Sequence, residues 1–178
     1  MRRVRYSVAA SLDGFIADPR GGYDWIIMDE AIDFAAMYRE FDTFIMGRKT
    51  WDVTAGSGFI PATDGKDKKE VIVFSRTLRT APKPGIQVVN TPPADTVRAL
   101  KQKAGKDIWL FGGGELFRTL ADAGLVDTVE IGLMPVLLSE GIPILPPGRQ
   151  IRGMKLVKCE SLPNSGIVML TYTLPSAA

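Results

Sequence analysis

The chain has 178 residues, of which 46% are hydrophobic and 24% are charged, and its formal net charge is +2. This composition is typical of a globular protein with a hydrophobic core, and the scattered charge disfavours a nucleic-acid surface, which needs a concentrated basic stripe. Histidine is absent and Cys159 is the single cysteine. A Ser-His-Asp triad, a Cys-His pair, a His- or Cys-based metal site and an internal disulfide are therefore excluded.

The length predicts one domain over residues 1–178. The basic start of the chain is followed by an apolar run that Ser11, Asp13 and Asp18 interrupt, which indicates a strand instead of a signal peptide. No apolar stretch approaches the roughly 20 residues that a membrane span requires. We therefore expect a cytoplasmic protein that binds a small molecule and contacts neither membrane nor nucleic acid.

Strands and helices alternate through the first two thirds of the predicted structure. Strands are predicted over residues 4–10, 43–46, 71–74, 86–89 and 107–111. Helices are predicted over residues 29–41, 48–52, 93–103 and 115–123. In the first helix, apolar residues recur at helical spacing after Asp29, which is a favourable N-cap. Residues 11–18, with a turn at Asp13-Gly14, and residues 54–69 are predicted to be loops.

The last third of the chain is rich in predicted strands. A strand is predicted over residues 126–134, and residues 154–161 and 167–174 flank a turn at 163–166, which indicates an antiparallel hairpin. The whole pattern predicts an α/β fold. We expect a mixed, mostly parallel sheet with helices on both faces and a C-terminal antiparallel hairpin.

Three predicted strands end in residues that suit a phosphate group. The segments are Gly47-Arg48-Lys49-Thr50, Ser75-Arg76 and Gly112-Gly113-Gly114. Glycines at a strand-to-helix junction allow positive φ angles and close approach to the backbone, and a helix N-terminus offers free N–H groups to an anion. Each segment alone also has a plainer interpretation, as a solvated helix start, a polar strand end or a tight turn.

The order of the strands favours the binding interpretation. In an open α/β sheet, ligands bind beyond the carboxyl ends of the parallel strands. The three segments are therefore expected to meet at one edge of the sheet and to bind one anionic ligand, for which a nucleotide has suitable chemistry. This reasoning concerns binding and leaves the reaction open.

The arrangement resembles the dihydrofolate reductase superfamily. The resemblance is carried by residues 45–51, Ile-Met-Gly-Arg-Lys-Thr-Trp, and by residues 109–117, Trp-Leu-Phe-Gly-Gly-Gly-Glu-Leu-Phe. Residues 10–17 and 135–141 are more similar to the reductase domain of the bifunctional riboflavin-synthesis deaminase-reductases. The chain lacks the His and Cys-x-x-Cys ligands of their zinc-deaminase half. It therefore resembles a stand-alone homologue of the C-terminal reductase domain.

The resemblance implies an NADPH-binding fold. The implied cofactor contacts are Ala9, Ala10, Gly47, Arg48, Lys49, Thr50, Ser75, Arg76, Gly112, Gly113, Gly114, Glu115 and Leu116. Among these, residues 47–50 and 114–116 hold the phosphates, Ser75 and Arg76 reach the 2′-phosphate, and the backbone at residues 9–10 faces the nicotinamide. The resemblance also implies a cis peptide between Gly112 and Gly113 and a mobile loop over residues 14–22.

The catalytic acid of dihydrofolate reductase has no clear counterpart. Its position corresponds to Ala31, with Glu30 and Asp33 on either side, and the threonine that partners the acid corresponds to Gly132. Asp13 resembles the loop aspartate of the riboflavin-type reductases. Glu30, Asp33 and Asp13 are the candidate catalytic residues. The alternative interpretations are exposed helix residues for the first two and a turn cap for Asp13.

Three functions are compatible with this sequence. The first is an NADPH-dependent reductase that transfers hydride to a small pterin- or pyrimidinone-like heterocycle. The second is a non-catalytic NADP(H)-binding module, and the third is an authentic dihydrofolate reductase. Phe15, Trp25 and Trp51 are expected near a pocket or, alternatively, in the core. By resemblance, the C-terminal hairpin is also expected to form a homodimer interface.

Overall fold

The computed structural model describes residues 1–57, 61–63 and 65–175. Within these residues the chain forms ten strands and four helices. The strands are β1 (Val4–Ser11), β2 (Phe15–Ala17), β3 (Phe41–Gly47), β4 (Glu70–Phe74), β5 (Ile86–Val89), β6 (Asp107–Gly112), β7 (Thr128–Met134), β8 (Ile142–Pro143), β9 (Lys155–Leu162) and β10 (Ile167–Thr173). The helices are α1 (Phe34–Arg39), α2 (Arg48–Ser57), α3 (Pro93–Gln102) and α4 (Gly114–Asp122).

Eight strands form one mixed sheet in the order β5-β4-β3-β6-β1-β7-β10-β9. Every pair from β5 to β7 is parallel, whereas β10 runs antiparallel to both β7 and β9. β2 and β8 form a separate two-stranded antiparallel sheet. The predicted α/β class, the mostly parallel sheet and the C-terminal hairpin are confirmed.

Alternation along the central strands divides the core between the two faces of the sheet. On one face, fully buried residues of β1 and β6 pack with α3 and α4, and the Tyr6 ring stacks on Phe117 with 4.1 Å between centroids. On the other face, Phe44 and Trp109 pack with residues of α1 and α2. Trp51 is 3% exposed within this second cluster. Trp51 is therefore a core residue and not a pocket residue.

The predicted helix over residues 29–41 is too long at both ends. α1 begins at Phe34 with Asp33 as its N-cap, whose Oδ1 accepts a hydrogen bond from the Ala36 N–H at 2.8 Å. The Asp29 carboxylate instead accepts from the Ala31 N–H at 2.9 Å, which forms a local turn. Phe41 is fully buried as the first residue of β3, so the C-terminal boundary was also misplaced.

Two predicted loops contain regular structure. The loop predicted over residues 11–18 includes β2, whose partner β8 lies more than 120 residues later in the sequence, so local composition could not reveal the pairing. The loop predicted over 54–69 begins inside α2, which continues to Ser57. Residues 58–60 and 64 of that loop lie outside the described residues. No helix in the described part of the chain is long and apolar enough to cross a bilayer.

Candidate functional site

The start of α2 and the end of β6 lie side by side at the carboxyl edge of the sheet. Met46 of β3 pairs with Gly112 of β6. A Cβ atom added to Gly112 or Gly113 would lie 3.5 Å or 3.3 Å from Thr50 Oγ1. The peptide between the two glycines is cis, as the resemblance implied. Two of the three phosphate-compatible segments are therefore adjacent.

The polar groups at the start of α2 are available for a ligand. Arg48 forms a 2.7 Å ion pair with Asp52, but both side chains are about half exposed. Lys49 is exposed. The Thr50 hydroxyl has no hydrogen-bond partner among the described residues, although the Thr50 carbonyl accepts from Thr54. This edge therefore presents two cations, a hydroxyl and a helix N-terminus to the surface.

The third segment is a preformed turn beside the first. Gly47 pairs with Phe74, so Ser75 and Arg76 follow immediately next to the start of α2. The buried Ser75 hydroxyl accepts hydrogen bonds from the N–H groups of Thr77 and Leu78, at 3.2 Å and 2.8 Å. The Ser75 side chain is thus engaged within its own turn, whereas Arg76 is exposed.

Asn90 holds this turn in place, a role that the sequence analysis missed. Its Nδ2 donates to the Ser75 carbonyl at 2.5 Å and to the Leu78 carbonyl at 2.8 Å. Asn90 directly follows β5, so the same inspection of strand ends could have detected it. Arg79 is a second exposed cation just beyond the turn. The turn consequently carries two guanidinium groups on a backbone that the hydrogen bonds from Asn90 hold in place.

The third glycine of the triplet is explained by packing within the chain. A Cβ at Gly114 would lie 2.8 Å from the Pro143 carbonyl oxygen and 2.9 Å from Pro146 Cδ. The N–H of Leu116 is engaged with the Gly113 carbonyl at 3.1 Å. Of the three residues predicted to meet a pyrophosphate, Gly114 and Glu115 thus keep free backbone N–H groups within the described residues, and Leu116 does not.

The strand β1 forms the other side of this edge. Ala9 and Ala10 pair with Gly132 and Leu133 of β7. Ala9 packs on a small apolar cluster of Met134, Leu162 and Ile167, together with Trp25, Ile26 and Ile32. The segment that precedes α1 therefore covers the carboxyl half of β1, where the sequence predicted the nicotinamide.

Asp13 joins two loops at this edge. Its carboxylate accepts hydrogen bonds from the Ser11 hydroxyl at 2.7 Å and from the N–H groups of Leu138 and Ser139, the latter at 2.7 Å. These bonds, that of Ser11 above all, lower the pKa of Asp13. The group is ionised at neutral pH and fully occupied as an acceptor, which is the arrangement of a positioning residue.

The other candidate acids are not assembled into a catalytic pair. Glu30 is exposed, and Asp33 caps α1. Ala31 is exposed as well, and a Cβ at Gly132 would meet Met134 Cε at 3.3 Å and Met169 Sδ at 3.5 Å. The position of the family's threonine is thus next to two methionine side chains.

Asp29 is a buried carboxylate that the sequence analysis misassigned as a helix cap. It is 9% exposed. The nearby Ser165 side chain and the Ala31 N–H lower the pKa of Asp29, and the buried Asp29 Oδ2 has no hydrogen-bond partner among the described residues. Because Ser165 belongs to the β9–β10 turn, no local pattern could have shown this proximity. Asp29 is ionised at neutral pH, so it too lacks the properties of a proton donor.

The fold is of the dihydrofolate reductase-like class. The dihydrofolate reductase of Enterococcus faecalis, solved with NADP(H), superposes with a TM-score of 0.69 over 98% of this chain and 97% of that one, at 16% identity. The family model of the RibD C-terminal domain matches residues 2–168. The chain belongs to the RibD C-terminal domain family.

Relatives of similar length share this domain. The Bacillus subtilis protein YyaP is 34% identical over 181 aligned positions, which cover 96% of this chain and 94% of YyaP. A candidate riboflavin biosynthesis protein from Shewanella sp. PV-4 superposes with a TM-score of 0.80 at 27% identity, over 98% of this chain and 99% of that one. The bifunctional deaminase/reductase of Thermotoga maritima superposes with a TM-score of 0.72 at 16% identity, but only 57% of its length is covered.

Proposed function

We propose that the chain, as one domain over residues 1–178, is an NADPH-dependent reductase of a small heterocyclic substrate. The observation that carries the proposal is the contact between Thr50 and the Gly112–Gly113 pair. The free Thr50 hydroxyl, two cations and the starts of α2 and α4 therefore lie around the glycine pair, whose backbone carries no side chains. Such a combination fits a dinucleotide pyrophosphate.

Residues 75–79 support NADPH as the cofactor in preference to NADH. Arg76 and Arg79 are exposed on the turn that Asn90 fixes, beside the start of α2. Guanidinium groups bind phosphate oxygens in a bidentate manner, so this turn suits the additional 2′-phosphate of NADPH. The relative from Enterococcus faecalis was solved with NADP(H), which agrees with this assignment.

The bound cofactor supplies the hydride in this proposal, and the chain supplies binding and orientation. Asp13 and Asp29 both have lowered pKa values, so neither is a proton donor at neutral pH. We propose that the proton comes from water. Ala31 and Gly132 stand where the resemblance expects the catalytic acid and its threonine partner, and this argues against authentic dihydrofolate reductase activity. A non-catalytic NADP(H)-binding module is the alternative, and steady NADPH oxidation with any pterin or pyrimidinone would exclude it.

Replacing Thr50 with valine tests the cofactor site. We expect wild-type protein to bind NADPH with a saturable change in nucleotide fluorescence, and Thr50→Val to weaken binding by about tenfold, because a hydrogen bond to a charged oxygen is lost while the side-chain volume is kept. The control is Thr119→Val on α4, whose hydroxyl is bonded to the Glu115 carbonyl at 2.9 Å. Equal NADPH affinities in all three proteins would contradict the assignment of Thr50 to the cofactor site. If the wild type did not bind NADPH, the proposed reductase function would be contradicted.

We also propose that two chains associate through β9. Its first seven residues are exposed, Leu156 is 54% and Val157 63% exposed, and the strand forms an open edge of the large sheet. Such edges readily pair with another strand. Light scattering is expected to give twice the 19.4 kDa protomer mass. Val157→Lys should shift the mass toward the protomer, whereas Val53→Lys should not, and a protomer mass for the wild type would refute the proposal.

A further inference from the structure

We propose that the substrate of this reductase carries no phosphate group and is a neutral or cationic compound with an apolar ring. The inference rests on the proposed function and concerns the substrate side of the same site. It follows from the charges and the exposed apolar groups of the elements that surround the carboxyl half of β1.

The substrate side is defined by the segments that pack around Ala9. Trp25, Ile26 and Ile32 contact the same apolar cluster as Ala9, so residues 21–38 form one wall. Residues 11–18 and 135–141 form a second wall, because Asp13 bonds to the backbone of Leu138 and Ser139. The β9–β10 turn lies on the far side, where Ser165 is close enough to Asp29 to lower the pKa of that carboxylate.

These walls are strongly acidic, although the whole chain has a net charge of +2. Residues 11–38, all of them described, contain six carboxylates and a single cation, Arg20. The carboxylates are Asp13, Asp18, Asp24, Asp29, Glu30 and Asp33. Residues 135–145 add Glu140 and no cation, and residues 162–167 have no charge. The next cation, Arg39, lies at the opposite edge of the sheet, where its carbonyl accepts from Lys106 at 2.8 Å.

The cations at this edge are concentrated on the cofactor side. Arg48 and Lys49 begin α2, and Arg76 and Arg79 lie on the adjacent turn. Like charges within about 10 Å repel appreciably even in water at physiological salt. The site is therefore polarised, with cations where the phosphates of a dinucleotide are expected and carboxylates where the substrate enters. A dianionic phosphate on the substrate would be repelled by the walls.

The same wall exposes an unusual number of large apolar side chains. Tyr23 and Ile27 are each 42% exposed, Met28 is 69% exposed and Phe34 is 41% exposed. A Cβ atom added at Gly132 would lie 3.3 Å from Met134 Cε and 3.5 Å from Met169 Sδ. Apolar and thioether groups of this kind suit an aromatic or alkyl-substituted ring. The wall thus favours an apolar ligand in addition to disfavouring an anionic one.

This substrate class differs from that of a structural relative. The Thermotoga maritima enzyme is described as a 5-amino-6-(5-phosphoribosylamino)uracil reductase, so its substrate carries a phosphate. That relative shares 16% identity with this chain, and its fold alone says nothing of the substrate here. The charges of residues 11–38 in this chain point away from a phosphoribosyl compound.

The test compares matched probes on the full chain loaded with NADPH. The first pair is 5-amino-6-(5-phosphoribosylamino)uracil and its nucleoside without the phosphate, and the other probes are 6-aminouracil, pterin and a cationic aminomethyl-pterin. Binding by calorimetry and NADPH oxidation are measured at 50 and 300 mM NaCl. We expect the phosphate-free partner to bind at least about tenfold tighter at low salt, with a smaller ratio at high salt because the repulsion is screened.

A charge reversal on the wall provides the matched variant. Asp24 is exposed and makes no side-chain hydrogen bond among the described residues, so Asp24→Lys should leave the fold intact. We expect Asp24→Lys to lower the ratio of the affinity for the phosphate-free probe to the affinity for the phosphorylated probe by about threefold. Asp67→Lys is the control. It makes the same change of charge near the amino end of β4, at the opposite edge of the sheet, and should not alter the ratio of the two probe affinities.

Each outcome decides the inference. Tighter binding of the phosphorylated probe, or an equal effect of the two charge reversals, would overturn it. Failure of every neutral and cationic probe to bind at 1 mM would also overturn it. Loss of NADPH binding by the wild type would instead remove the proposed function, so the two failures are distinguishable.

Discussion

Replacing Arg5 with methionine is expected to lower the free energy of unfolding by about 3–5 kcal/mol, the range for removing one partner of a buried ion pair. Arg5 is 9% exposed in the middle of the sheet. Its Nε and Nη2 donate to the two carboxylate oxygens of Glu130 at 2.6 Å and 2.9 Å, and its Nη1 donates to Glu40. Methionine keeps the length of the side chain and removes its charge.

The expected loss is large because the Glu130 carboxylate that Arg5 neutralises is itself poorly solvated. The side chain of Glu130 is 14% exposed, and without Arg5 its remaining partner is the Thr128 hydroxyl at 3.1 Å. The Arg5 guanidinium also lies 4.5 Å from the centre of the Phe41 ring. Burial opposes the charge of Arg5, but the hydrogen bonds to Glu130 and Glu40 raise its pKa overall. The cation is therefore permanent and cannot be replaced by a neutral group without cost.

Urea denaturation of the two arginine variants checks this prediction. Arg3→Met is the control, because Arg3 pairs with Asp107 at 2.5 Å but its side chain is 58% exposed. An exposed pair contributes about 0–1 kcal/mol. The double variant Arg5→Met/Glu130→Leu should recover part of the loss, since it removes the stranded carboxylate. Equal stabilities of Arg3→Met and Arg5→Met would show that the buried network is unimportant.

Replacing Arg76 with alanine is expected to weaken NADPH binding by about 10- to 100-fold, the value of one or two charge-assisted hydrogen bonds. NADH binding should stay unchanged, because NADH lacks the 2′-phosphate. The reason is positional: the Ser75–Leu78 turn is held by Asn90 and leaves the Arg76 side chain exposed beside α2. Fluorescence titration with both nucleotides measures the ratio directly.

The control for Arg76 is an arginine of similar exposure elsewhere. Arg98 on α3 forms an exposed pair with Asp95 at 2.8 Å, and Arg98→Ala should affect neither nucleotide. A uniform loss of NADPH and NADH affinity in Arg76→Ala would indicate a general structural role. An unchanged NADPH-to-NADH ratio would assign the 2′-phosphate to other residues, of which Arg79 is the nearest candidate in the sequence.

Sequence patterns predicted the central strands and the adjacency of their three polar ends well, because both are encoded by neighbouring residues. Short apolar runs mark β3, β4 and β6, and glycine or polar residues mark where each strand ends. The polarity of a strand end, however, does not tell which atoms face outward. Ser75 was predicted as a ligand contact, and its hydroxyl accepts two hydrogen bonds inside its own turn.

Residues 11–33 were predicted less well because their structure depends on distant partners. β2 exists through its pairing with β8, Asp13 is held by Leu138 and Ser139, and Asp29 lies near Ser165 of the β9–β10 turn. Periodicity extended α1 back to Asp29, although the chain there forms a turn. Gly114 shows the same limit, since its small size serves the packing of Pro143 and Pro146.

The sequence by itself determined the α/β class, the family resemblance and the three strand ends where a phosphate-bearing ligand is expected, because these depend on short-range patterns. Only the tertiary structure decided which groups at those strand ends are free, which carboxylates are bound in loops, and which residues cover the carboxyl half of β1. The physical reason is that availability, burial and local charge depend on contacts between residues far apart in the chain, which no local pattern records.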